Sequence, residues 1–320
     1  MVEPIAYTWH LSIINGGTPR RDQGGSSSIA YLPAAYYFNP IAWSGVDLAR
    51  SQWILADANG NPVRQFTFGL QGAVPITGDW NGDGTTKIGV FLHGTWFIDL
   101  NGNGVWDNGD LWAQMGHEGD LPVTGDWDGD GKTDIGVLGT VWPGDDRALA
   151  AEPGLPDVRN LRMGRHKNLP PDPQNAPIPQ RTMKRSSQGR IRTDLIDHVF
   201  QFGRQADIPV AGDWNGDGIT NIGLFRNGIW YLDADGDGRF SNSDIRVDSF
   251  GQPGDIPVVG DWTGDGTSKL GVYRRGTWYL DTNNNRVLDV QDRVIRLGGP
   301  NDLPVAVSYT HLTLPTIYSV

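Results

Sequence analysis

The chain contains no cysteine, which excludes a disulfide framework and thiol chemistry without fixing a compartment. No apolar run reaches the roughly 18 residues that a membrane-spanning helix needs, so no membrane span is expected. The N-terminal MVEPIAYTWH lacks the basic-then-apolar order of a signal peptide. Positive charge is scarce: 26 Lys and Arg stand against 37 Asp and Glu, a net charge of −11. That balance argues against nucleic acid as a partner, because affinity for a phosphate backbone comes from cationic side chains displacing its counterions. Nucleophile and metalloprotease signatures are missing too. The six histidines form no H-E-x-x-H and there is no G-x-S-x-G. GDGKT (129–133) resembles the end of a phosphate loop, but Gly125 lies one residue too far upstream and the neighbouring carboxylates repel phosphate. No catalytic residue stands out, and the chain reads as non-enzymatic.

What is abundant is glycine, proline and tryptophan, with 44, 21 and 13 copies in 320 residues. Without a helical hydrophobic period, this composition points to an all-β protein with many short turns. Self-comparison gives the organisation. The triplet Gly-Asp-Trp begins at 78, 125, 212 and 260, spaced by 47, 87 and 48 residues, so a unit of about 47 residues is interrupted once. One period, Phe68 to Gly116, holds four strand signals: VPITGDW, KIGVFL, TWFIDL and DLWAQMG. His93-Gly94, Asn227-Gly228 and Arg275-Gly276 mark two-residue hairpin turns between the second and third strands. Four antiparallel strands per unit of this length predict a β-propeller-like array of four-stranded blades, incomplete at the C-terminus and carrying one long loop insertion.

The segment 51–69 matches the second half of a unit and aligns Trp53 with Trp96, Trp230 and Trp278. Repeats are therefore expected over 45–139 and 199–306, with 1–44 a leader or the end of another domain. Residues 140–198 are set apart by 8 Pro and by 10 Lys and Arg against 7 Asp and Glu. They read as a Pro/Arg-rich insertion within a blade, replacing its third strand, with IDHVFQFG (196–203) returning as a fourth. After NDLPVA (301–306) the chain runs SYTHLTLPTIYSV, which lacks glycine and acidic residues and resembles translated adapter sequence. Residues 307–320 are accordingly expected to be a non-native tail. Trp80, Trp127, Trp214 and Trp262 recur in phase, as packing between blades would require, with a sugar-stacking platform as the other reading.

Two acidic loops recur along the repeats, the first in four copies and the second in three. The first is fullest in GDWDGDGKTDIGV, where Asp126, Asp128, Asp130 and Asp134 hold positions 1, 3, 5 and 9, with Gly131 at position 6. Alternate oxygen side chains on a tight loop suit a hard cation such as calcium, which takes six to eight oxygens. The other copies are Asp79, Asn81 and Asp83; Asp213, Asn215, Asp217 and Asn221; and Asp261 and Asp265. Lys87 and Lys269 take position 9 in two of them, where an ammonium could stand in for the cation. The second loop has oxygen side chains at positions 1, 3, 5, 9 and 12, the spacing of an EF-hand loop. Its copies are Asp99, Asn101, Asn103, Asp107 and Asp110; Asp233, Asp235, Asp237 and Asp244, with Ser241 at position 9; and Asp281, Asn283, Asn285, Asp289 and Asp292. An Asn/Asp/Gly-rich hairpin turn without metal is the other reading of each.

The pattern FG…GD-x-PV-x-GDW-x-GDG-x-x-x-IGVF over about 45–306 resembles the FG-GAP and VCBS-like repeat families. That resemblance implies an integrin-α-like propeller whose D-x-D-x-D-G-x-x-D loops bind Ca²⁺, here in full at Asp126, Asp128, Asp130 and Asp134. It also implies a fragment of a larger secreted or surface bacterial protein. The function expected from the whole is a calcium-stabilised module for adhesion or recognition of a protein or glycan ligand, extracellular or on the cell surface. A carbohydrate-binding or carbohydrate-cleaving propeller is the alternative, and a partner-docking role for the basic insertion a third reading.

Overall fold

The computed structural model describes residues 7–12, 51–107, 109–127, 129, 131–140, 184–185, 191–192, 198–200, 202–309 and 312–319. No helix occurs among them, and none is long and apolar enough to cross a membrane. In chain order the strands are β1 (Tyr7–Ser12), β2 (Gln52–Ala56), β3 (Pro62–Thr67), β4 (Val74–Gly78), β5 (Lys87–Leu92), β6 (Thr95–Ile98), β7 (Leu111–Gln114), β8 (Leu121–Gly125) and β9 (Asp134–Thr140). The short pair β10 (Lys184–Arg185) and β11 (Ile191–Arg192) follows, then β12 (His198–Phe200), β13 (Ile208–Gly212), β14 (Asn221–Arg226), β15 (Ile229–Leu232) and β16 (Ile245–Val247). The last are β17 (Ile256–Gly260), β18 (Lys269–Arg274), β19 (Thr277–Leu280), β20 (Arg293–Arg296), β21 (Leu303–Tyr309) and β22 (Leu312–Ser319).

These strands build five four-stranded antiparallel sheets, the blades of a β-propeller. Blade I is β4-β5-β6-β7, blade III is β13-β14-β15-β16 and blade IV is β17-β18-β19-β20, each a local meander. Blade II has the order β8-β9-β1-β12 and blade V the order β21-β22-β2-β3. The innermost strands touch in a closed ring, β4 to β8, β13, β17, β21 and back to β4. They line a central cavity of about 220 Å³ with Pro75, Pro122, Pro209, Pro257 and Pro304. Proline is tolerated there because the inner strand is an edge whose outward N–H needs no ladder partner.

Two segments set outside the repeats on sequence grounds belong to blades. Tyr7–Ser12, expected in a leader, is the third strand of blade II, between β9 and β12. Leu312–Ser319, in the expected tail, is the second strand of blade V, paired with β21 and β2. The array expected to stop mid-blade is therefore a closed ring. The physical reason is the same in both places: β2 with β3, and β9 with β12, would otherwise present unpaired edges and unburied faces. The insertion does interrupt blade II, and apart from β10, β11 and β12 its residues lie outside those described.

The core lies between blades. Trp127, Val123 and Leu138 of blade II pack on Ile222 and Leu224 of blade III. Trp214, Phe225 and Trp230 of blade III meet Leu270 and Val272 of blade IV. Trp262, Tyr273 and Trp278 of blade IV meet Ile317 of blade V. Trp53, Phe68 and Tyr318 join Ile88, Val90 and Phe97 of blade I. A buried tryptophan removes on the order of 200 Å² from water, roughly 5 kcal/mol of gross transfer free energy at 25 cal/mol per Å². The in-phase tryptophans are thus core residues; Trp80 and Trp127 are both 0% exposed, so their ring faces are closed to a stacking sugar. The expected hairpin turns form as well, with φ of 48, 50 and 49° at His93, Asn227 and Arg275 and positive φ at the following glycines.

A clasp recurs where blades meet. The hydroxyl residue at position 8 of one first loop bonds the backbone of the position-1 aspartate in the preceding blade. Thr133 N–H donates to the Asp79 carbonyl at 2.8 Å, and Asp79 N–H donates back to Thr133 Oγ1 at 2.9 Å. Thr220 and Asp126 repeat this at 2.8 and 3.0 Å, and Ser268 and Asp213 at 3.0 and 2.9 Å. The glycine of Gly-Asp-Trp makes room: a Cβ on Gly212 would stand 2.6 Å from the Trp214 ring and 2.8 Å from Ser268 Cβ. Gly212→Ala is expected to destabilise the fold by about 1–3 kcal/mol, the usual cost of overpacking. Urea unfolding checks this, and an unchanged midpoint would remove the clasp from the account.

Candidate metal centre

In blades I, III and IV the first loop follows the inner strand and the second loop follows the third strand, so both open at the same end of the sheet. Their local form follows from the aspartate at position 1. In the first loop of blade III, Asp213 Oδ1 accepts the N–H groups of Gly216 and Asp217 at 2.6 and 3.1 Å, and Oδ2 that of Gly218 at 2.9 Å. In the second loop, Asp99, Asp233 and Asp281 each accept the position-6 N–H, at 2.7, 2.9 and 2.9 Å. The aspartate at position 12 closes the loop: Asp244 Oδ1 accepts Ala234 N–H at 2.9 Å and Oδ2 accepts Ser241 N–H at 2.6 Å. Asp110 does the same with Leu100 and Asp107. These turns gather oxygens at one centre, and the copies differ in what neutralises that centre.

Two first loops carry their own cation. Lys87 Nζ donates to Asn81 Oδ1 at 2.6 Å, Asp83 Oδ1 at 2.7 Å and the Thr85 carbonyl at 2.9 Å, with Asp79 Oδ1 at 3.5 Å. Lys269 Nζ likewise reaches Asp261, Asp265 and the Thr267 carbonyl, at 3.1, 2.5 and 3.2 Å. Both lysines are buried, and their ammonium groups take oxygens of positions 1, 5 and 7, with that of position 3 as well in the Lys87 loop. A divalent ion at Asp79, Asn81 and Asp83, or at Asp261 and Asp265, would first have to displace that ammonium. The hydrogen bond from Lys87 holds the Asp83 carboxyl down at about 2, and Lys269 holds Asp265 well below the usual range.

Two second loops neutralise themselves with amides. Asn101 and Asn103 donate to the two oxygens of Asp107, at 2.9 and 2.7 Å. Asn285 donates to Asp289 at 2.8 Å, while Asn283 turns toward Gln291 at 3.3 Å. Position 1 stays desolvated in both, so burial pushes Asp99 and Asp281 up. Burial, with Asp99 and Asp107 adding to it, pushes Asp110 up to about 7.

The second loop of blade III has neither remedy. Its positions 3 and 5 are Asp235 and Asp237, which with Asp233 bring carboxylate oxygens within 4.8 Å of one another. Asp233 is 0% exposed, and its Oδ1 is buried without a hydrogen-bond partner. Burial, followed by the charges of Asp244, Asp235 and Asp237, pushes the Asp233 carboxyl up to about 8; Asp237 is raised as well. A group whose folded pKa lies above its unfolded value favours folding when protonated, so this one opposes folding increasingly as pH rises from 3.8 through about 8. Oxygen donors of this number and charge fit a hard divalent cation. The neighbouring first loop lies against the second, since Asn215 Nδ2 donates both to Asp217 and to the Ala234 carbonyl, at 3.1 and 3.0 Å. Asn221 is buried, and Oδ1 lies 3.1 Å from where a Cβ on Gly236 would stand.

The first loop richest in carboxylates by sequence is described only in part. Asp126 accepts the N–H groups of Gly129 and Gly131, both at 2.8 Å, and the buried Asp134 accepts Trp127 N–H at 3.1 Å. Asp128 and Asp130 lie outside the described residues. Sequence reasoning overlooked the clasp hydroxyls Thr133, Thr220 and Ser268, although a hydroxyl recurs in phase at position 8 of all four first loops.

No known protein-family profile matches the chain, nor does any curated protein sequence. Removing the internal cation by Lys87→Met is expected to move the Asp83 titration midpoint from about 2 toward 3.8. A carboxylate-resolved NMR titration checks this, and a midpoint that stays near 2 would show that Lys87 does not set it.

Proposed function

We propose that this chain is a non-enzymatic, calcium-stabilised β-propeller module of the FG-GAP and VCBS-like kind, serving adhesion or molecular recognition outside the cell or at its surface. The observation that carries the calcium reading is the trio Asp233, Asp235 and Asp237, with one Asp233 oxygen buried and unpartnered. Asp233, Asp235, Asp237 and Asp244 would hold the ion, with the carbonyl of Arg239 at the loop's seventh position. The Asp213 and Asp126 loops are the next candidates, since neither has a lysine at position 9. Calcium in this role is structural: it replaces the proton that burial forces on Asp233 and binds the folded chain alone. Sites of extracellular modules have dissociation constants of roughly 10⁻⁴ to 10⁻³ M, which fits a loop open to solvent at Asp235 and Asp237.

A melting series in calcium against chelator tests the reading. Calcium at a hundred times its dissociation constant stabilises by about 2.7 kcal/mol, which is a rise of a few degrees in Tm for a chain of this size. The Asp235→Asn/Asp237→Asn variant is expected to lose most of that shift, with a midpoint in chelator no lower than that of the unsubstituted chain, since two charges that burden Asp233 are gone. The shift is also expected to grow from pH 5 to pH 8, because a proton and the cation compete for the same buried carboxyl. Identical midpoints with and without calcium at pH 8 would overturn the calcium reading.

A further inference from the structure

Blade II takes its third strand from a distant part of the chain, and that strand carries the pattern of the position it fills. The third strands of the other blades read Thr95-Trp96-Phe97-Ile98, Ile229-Trp230-Tyr231-Leu232, Thr277-Trp278-Tyr279-Leu280 and Gln52-Trp53-Ile54-Leu55. Residues 8–11 read Thr8-Trp9-His10-Leu11. The register agrees as well. The tryptophan pairs across the second strand with Phe91, Phe225, Tyr273 and Tyr318 in blades I, III, IV and V, and with Leu138 in blade II. Across the fourth strand it pairs with Ala113, Val247, Ile295 and Phe66, and with Phe200 in blade II. The repeat therefore specifies a Trp-centred strand at this position, and β9 and β12 offer the edges that receive it.

Among the described residues the other four such segments are each joined by a short turn to a strand of their own blade. Residues 8–11 are not: Ser12 lies 122 residues before Asp134, where β9 begins. We propose that the slot between β9 and β12 is a strand-acceptor site for the Thr8–Leu11 segment of a second copy of this chain, two molecules exchanging β1 in a symmetric pair. The ladder bonds of β1 to β9 and β12 are the same whether the strand comes from its own chain or from the partner, so exchange costs no contact. What favours the closed monomer is the effective concentration of its own β1, of order millimolar for a segment tethered in the same chain. Association above that range, or refolding at high concentration, shifts the balance to the pair.

The absence of cysteine makes the exchange directly readable. Tyr7 pairs with Thr140. Asp99 N–H donates to the Ile88 carbonyl in blade I, and by the same alternation the Tyr7–Thr140 pair is a non-hydrogen-bonded one, where Cα atoms stand about 4.5 Å apart and a disulfide can close. A size-tagged Tyr7→Cys chain and an untagged Thr140→Cys chain are refolded together at roughly 1 μM and roughly 1 mM, oxidised and run without reductant. The mixed-size dimer is expected in several-fold excess over either homodimer at the high concentration and absent at the low one. The double variant Tyr7→Cys/Thr140→Cys is expected to close within one chain at the low concentration. A mixed dimer no more abundant than the homodimers, or a double variant that never closes, would overturn the proposal. The unsubstituted chain after the same refolding supplies a control free of folding effects: sedimentation should show a dimer at the high concentration, and monomer alone would overturn it.

Discussion

Everything in this molecule hangs on bringing the start of one hairpin loop against the next blade. The position-1 aspartate uses its carboxylate to shape its own loop and its backbone to bind the hydroxyl residue of the neighbouring blade. Both uses require a close approach that only glycine allows at the residue before it. The tryptophan that follows is buried, and Trp127, Trp214 and Trp262 donate the indole N–H to a carbonyl of their own second strand at 3.2, 3.1 and 3.0 Å, whereas that of Trp80 has no partner. Gly-Asp-Trp is therefore a packing device first, and its carboxylate comes with an electrostatic problem attached.

That problem is solved in different ways along the chain. A buried lysine puts an ammonium at the centre of two first loops, and asparagine amides face the carboxylate of Asp107 or Asp289 in two second loops. Among the described residues, the Asp233 loop is the one that gathers three carboxylates within 4.8 Å, and it leaves Asp233 Oδ1 buried and unsatisfied. Geometry of this kind separates loops that look alike as patterns, because a position-9 lysine or a pair of asparagines changes what fills the centre without changing the fold of the turn.

The four-stranded unit, its turns and the in-phase tryptophans were legible in the sequence because a repeat displays each constraint several times. The aligned Trp53 placed the third strand of blade V correctly for the same reason. The strands β1 and β22 were not legible. Thr8-Trp9-His10-Leu11 stands alone, without the neighbouring strands that identify such a segment elsewhere, and Leu312–Ser319 lacks the glycine that marks its counterparts. Spacing also put the Asp99 and Asp233 loops on an equal footing, since a pattern of oxygen side chains counts Asn and Asp alike, whereas an amide can donate to the neighbouring carboxylate and a second carboxylate cannot.

The composite blades carry a consequence for the order of events in folding. Blades I, III and IV join neighbours in the chain, whereas Trp9 must find Phe200 and Gln52 must find Ser319. Closing such long loops costs entropy before any contact rewards it. The local meanders therefore form early, and blades II and V assemble last, as the slow steps that close the ring.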